Sequence, residues 1–75
     1  MIALTESIFV FKTNIDTPAH WESIKNAIES TFEIESCSID LEDVDKVMRV
    51  IATDIDPIHI ISLVEKQGKN CYELV

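Results

Sequence analysis

The sequence predicts an α+β fold of the ferredoxin-like kind: a four-stranded antiparallel sheet in spatial order 4-1-3-2 with two helices on one face. Three observations lead there. The elements run strand, helix, strand, strand, helix, strand along the chain. Both helical stretches open on a capping residue followed by proline, Thr17-Pro18 and Asp56-Pro57. The only glycine, Gly68, falls where the second helix should end. With 75 residues, 47% of them hydrophobic, the chain reads as one small domain over 1–75.

Each element follows from its own residues. The run SIFVFKT, Ser7 to Thr13, is rich in β-branched and aromatic residues, and its alternation sets Phe9 and Phe11 on one face and Ile8 and Val10 on the other. After Thr17 and Pro18, the residues Trp21, Ile24, Ile28 and Phe32 recur at helical spacing, so a helix is expected from about Pro18 to Thr31. Trp21 begins the stripe that must cover the sheet and is therefore expected in the core; exposed, it would mark a contact surface. From Ile34 to Leu41, Cys37, Ile39 and Leu41 alternate against Ser36, Ser38 and Asp40, giving a half-buried second strand. The acidic Glu42-Asp43-Val44-Asp45 cannot bury its charges and so turns the chain into a third strand, Lys46 to Ala52. Asp56 and Pro57 open a second helix carrying Ile60, Ile61, Leu63 and Val64, which Gly68 closes as a left-handed cap. Cys71 to Val75 reads as a short last strand. The segments Ile15-Asp16-Thr17-Pro18-Ala19-His20 and Ile55-Asp56-Pro57-Ile58-His59 echo each other, although helix starts call for Asp, Thr and Pro in any case. In this topology the Asn14–Thr17 loop, the acidic turn and the Gly68–Cys71 approach share one end of the domain.

Composition excludes more partners than it names. Fourteen acids against six bases give a net charge of −8, which repels nucleic acid and anionic membrane surfaces alike. The start, MIALTESIFVFK, lacks a basic leader region, and no window approaches the about 18 apolar residues of a membrane span, so a soluble cytoplasmic protein is expected. Cys37 and Cys71 lie 34 residues apart with no C-x-x-C, which suits neither a zinc ribbon nor a disulfide framework. Strand order 4-1-3-2 also puts them on opposite edges, beyond bridging reach. No serine stands in a G-x-S-x-G elbow and a single glycine rules out a phosphate-cradling loop, so no enzyme is expected. Asp40, Glu42, Asp43 and Asp45 lack the glycine and the distal glutamate of a calcium loop and read as a solvated turn.

The hairpin segment Ser38-Ile39-Asp40-Leu41 leading into Lys46-Val47-Met48-Arg49-Val50, with the second helix, Gly68 and Glu73-Leu74 after it, resembles the heavy-metal-associated domain family across nearly all of the chain. That is the fold of small copper chaperones and of the N-terminal modules of metal-pumping ATPases. The family's M-x-C-x-x-C begins at the end of the first strand; here Ile15 stands for the methionine, Thr17 for the first cysteine and His20 for the second. Monovalent copper is soft and prefers thiolate, and both thiolates are missing. The resemblance implies a divergent member that keeps the scaffold without the metal motif.

Two functions are therefore weighed. The first is a non-catalytic interaction module that binds a protein partner or itself as a homodimer, with no cofactor. Its candidate surfaces are the sheet face turned away from the helices, where alternation places Ile8, Val10, Val47 and Ile51, and the acidic turn Glu42, Asp43 and Asp45, which would steer a basic partner. Lys12, Arg49 and neighbouring acids could instead shield that face. The alternative is a metal-binding or metal-delivery protein that uses His20 and Cys71. His20 stands at a helix start, where the dipole favours the neutral, ligating imidazole, and Cys71 approaches the same end of the domain. The plainer readings are a surface or capping role for His20, a core thiol at Cys37, and simple exposure for His59 at the opposite end.

Overall fold

A computed structural model describes residues 6–74; Met1–Thr5, where the leader region was sought, and Val75, the expected end of the last strand, lie outside the described residues. The elements are β1 (Ser7–Thr13), α1 (Pro18–Thr31), β2 (Ile34–Ile39), β3 (Met48–Ala52), α2 (Pro57–Lys66) and β4 (Cys71–Glu73). The sheet runs β2-β3-β1-β4, which is the expected 4-1-3-2 order read from its other edge. All three pairings are antiparallel.

Local chemistry sets the helix ends. Thr17 is extended at φ −131° and its hydroxyl oxygen accepts from the His20 N–H at 3.2 Å, so α1 starts at Pro18. Asp56 caps α2 in the same way, Oδ1 accepting from the Ile58 N–H at 3.1 Å. The helix closes in a Schellman turn: Gly68 sits at φ 86°, its N–H donates to Glu65 O at 3.0 Å, and the Lys69 N–H donates to Val64 O at 3.3 Å.

The hairpin strands are shorter than the alternation suggests. β2 stops at Ile39 rather than Leu41, and β3 begins at Met48 rather than Lys46. The cause lies in the connection, where Asp40 Oδ1 accepts from the N–H groups of Glu42 and Asp43 at 3.1 and 3.2 Å and winds the backbone into a turn. Lys46 then adopts φ 45°, a left-handed conformation that cannot continue a strand. Val47 thus precedes β3, although its carbonyl still accepts from the Asp40 N–H at 2.9 Å. β4 is shorter than expected as well, with Leu74 beyond its end donating to Val10 O at 2.8 Å.

One face of the sheet packs under the helices. Phe11, Ile15, Met48 and Val50 from the sheet side meet Ile24 and Ile28 of α1 and Ile60 and Val64 of α2, all essentially buried. Trp21 is half-buried against this core, in the structural role its position predicts. Cys37 on β2 and Cys71 on β4 are free and buried on the opposite edge strands.

Candidate functional site

Three regions bear on function: the end where the loops meet, the acidic turn, and the uncovered sheet face. At the first, the expected juxtaposition is present. The Asn70 N–H donates to Asn14 Oδ1 at 2.7 Å, and the Thr13 N–H donates to Asp45 O at 3.1 Å. Asp16 holds the Lys69 ammonium at 3.4 Å and lies 3.6 Å from His20 Nδ1. The Lys69 hydrogen bond, ahead of its charge, draws the Asp16 carboxyl below its ordinary value. Cys71 is brought to this end, but its side chain is buried on the core side, and burial, with a smaller push from Glu65, raises its thiol to about 12. It is therefore a neutral thiol near neutral pH. His20 is exposed, and His59 stands apart at the other end. There it borders an open depression of about 680 Å³ with Phe9, Phe32 and Ile55. Among the described residues, no three His, Cys, Asp or Glu side chains gather closely enough to hold a metal ion.

In the acidic turn the carboxylates differ in what they do. Asp43 Oδ1 accepts from the Asp45 N–H at 3.4 Å, and Asp45 pairs with Lys12 at 3.5 Å. Lys46 Nζ donates to Leu41 O at 2.8 Å, which closes the turn on itself. Asp43 and Asp45 are half-buried, while Glu42 is exposed. At the tip Val44 is 89% exposed, an apolar residue that neither alternation nor helical spacing singles out.

The sheet face away from the helices can be read row by row from the register. Ile8 lies opposite Ile51, which lies opposite Ser36. In the next row Val10 lies opposite Arg49, which lies opposite Ser38; on the other side Val10 accepts from the Leu74 N–H. Lys12 lies opposite Tyr72. Val47 shares this face by alternation with Arg49 and Ile51. Ile8 is 66% exposed, Tyr72 59% and Leu74 43%, whereas Val10, Val47 and Ile51 are half-buried. Tyr72 and Leu74 enlarge the patch beyond the four aliphatic residues the sequence suggested. Their alternation with buried Cys71 carries that signal in the sequence, but the strand is too short to make it stand out.

No protein-family profile matches the chain, and no curated protein sequence matches it. Among solved structures, the copper(I)-loaded first domain of the human copper chaperone for SOD1 superposes with a TM-score of 0.73 at 14% identity, over 92% of this chain and 93% of that one. The chain has a copper-chaperone-type fold. On this scaffold, the residues between β1 and the first turn of α1 do structural work. Ile15 is fully buried in the core, Thr17 caps α1, and His20 faces Asp16. The donors brought to this end are the Thr17 hydroxyl, the His20 imidazole, the Asp16 carboxylate and the buried Cys71 thiol, with the Lys69 ammonium beside Asp16; a soft cation prefers thiolate, and this set holds one sulfur.

Proposed function

We propose that this chain is a non-catalytic interaction module, a single domain that docks a protein partner on the open face of its sheet and does not carry metal. One observation carries the reading: Ile8, Val10, Ile51, Tyr72 and Leu74 form a contiguous apolar surface on the side that neither helix covers. Isolated apolar side chains are ordinary on a protein surface, but a patch spanning three adjacent strands is the usual mark of a contact site. The donor set at the loop end supports the same reading, since it holds a single, buried sulfur where copper(I) prefers paired thiolates. Two free thiols, each buried, fit a reducing compartment such as the cytoplasm. Among the described residues, the hydroxyls of Thr13 and Ser30 donate to backbone carbonyls rather than to a His or carboxylate base.

The competing reading keeps metal delivery, with His20 and Cys71 as ligands. It draws on the copper(I)-loaded neighbour of the same fold and requires Cys71 to turn out of the core. Native mass spectrometry of the reduced protein with copper(I) and with zinc separates the two. The interaction reading expects no ion held against a mild chelator; one bound ion, lost in the His20→Ala variant, would replace it with metal delivery.

A further inference from the structure

Arg49 stands in the middle of the open face. On β3 it lies opposite Val10 of β1 on one side and Ser38 of β2 on the other, with Val47 and Ile51 two residues before and after it. Within the strands, the register gives the outward positions two cations, Lys12 and Arg49, with the exposed acids Glu35, at the β2 bulge, and Glu6, just before β1, at the margins of the face. Lys12 is already paired with Asp45, whereas Arg49 is exposed and makes no ion pair among the described residues. In a chain of net charge −8, the centre of the apolar surface therefore carries a cation with no ion pair among the described residues.

We propose that Arg49 is the specificity-determining residue of this face, and that the partner is a different protein whose apolar docking surface carries an Asp or Glu side chain. This rests on the docking role of the face given above. A guanidinium presents a planar fork of donors that matches a carboxylate, and the pair gains strength once apolar neighbours exclude water. A second copy is the wrong occupant. Two of these faces packed symmetrically would bring Arg49 against its own equivalent near the two-fold axis, and like charges there oppose association. A phosphate dianion fits less well than a carboxylate, because the −8 field repels its double charge more strongly. The same field slows the approach of any acidic partner, so the Arg49 pair acts chiefly by holding the docked complex together. Its loss should appear in the dissociation rate.

The probe is a displayed library of random short peptides selected on the full-length protein. Enriched sequences are expected to combine apolar residues with an Asp or Glu. A synthetic representative should bind roughly tenfold more weakly to the Arg49→Ala variant, mostly through faster dissociation, as expected on losing a charge-assisted hydrogen bond. Replacing the peptide's own acid with its amide should remove that difference between the two proteins. Circular dichroism and the urea midpoint confirm that each variant folds. Peptides that bind through the face, losing affinity with Val10→Ser and Ile51→Ser but not with Arg49→Ala, would overturn the role of Arg49 while leaving the docking face in place. Failure to enrich any peptide, or binding indifferent to all three substitutions, would remove the docking face as well. A dimer seen by sedimentation and dissociated by Val10→Asp would put a second copy on the face and overturn the choice of partner.

Discussion

At position 13 a threonine does work that no apolar residue of its size could do. Its hydroxyl donates to Lys46 O at 2.7 Å and accepts from the Ile15 N–H at 3.3 Å, which ties the end of β1 to the hairpin connection and to the loop before α1. Thr13→Val keeps the shape and strands both backbone groups in a buried place, so stability should fall by about 1–3 kcal/mol. The check is the urea midpoint at unchanged slope, with Thr13→Ser recovering most of the loss. The two buried thiols make a second prediction. Burial raises both Cys37 and Cys71 from 9.0 to about 12, so the folded chain holds these protons more tightly than the unfolded chain does. Their contribution to stability is whole below the unfolded value of 9.0 and is lost as pH rises from there towards about 12. Urea midpoints should decline across that window, and the decline should flatten in a variant with both cysteines replaced by alanine. Asp16 works with the opposite sign, contributing above its unfolded value of 3.8 and less as acid protonates it; because it is fully exposed, its effect is small.

At the scale of elements, the helix termini show where local chemistry decides structure. An added Cβ at Gly68 would meet nothing within 4 Å, so the cost of Gly68→Ala is conformational alone. Holding alanine at φ 86° should cost about 1–2 kcal/mol, and Gly68→Asn less, both read from denaturant curves. The same locality explains which parts of the fold were legible from sequence. Thr17-Pro18, Asp56-Pro57 and Gly68 each satisfy backbone groups within a few residues of themselves, and both helix starts stand where those residues place them. Strand ends are less legible. Leu41 continues the alternation of Cys37 and Ile39, yet the Asp40 carboxylate takes the next two N–H groups and ends β2 first. Strand order could be read because the arrangement of two β-α-β units allows few topologies, and the four aliphatic positions of the open face followed from alternation alone. The Asp16–Lys69 pair could not be foreseen, since it joins residues 53 apart that meet only after both loops close. The central position of Arg49 was likewise hidden until the register set it between Val10 and Ser38.

At the scale of the whole molecule, the charge of −8 acts against the folded state through self-repulsion, so added salt should raise the melting temperature even though it weakens the exposed Lys12–Asp45 pair. The acidic turn allows a sharper test of what the charge is for. If the turn steers a basic partner, Glu42→Lys should slow that association and reduce its salt dependence while leaving stability alone, because Glu42 is exposed and its carboxylate makes no hydrogen bond among those described. Asp43→Lys should instead destabilise the fold, because Asp43 accepts from the Asp45 N–H inside the turn. Stopped-flow association rates set beside melting curves distinguish the two. The sheet's outer strands carry one further consequence. β2 joins the sheet through β3 alone and β4 through β1 alone, and each holds one buried cysteine on an otherwise unflanked edge. The thiols therefore label the two margins separately. A small alkylating reagent reaches Cys71 when β4 peels away and Cys37 when β2 does, so the order of modification reports the order of fraying. With three residues in β4 against six in β2, the Cys71 margin should open first, and simultaneous labelling of both would mean that the sheet opens only as a whole.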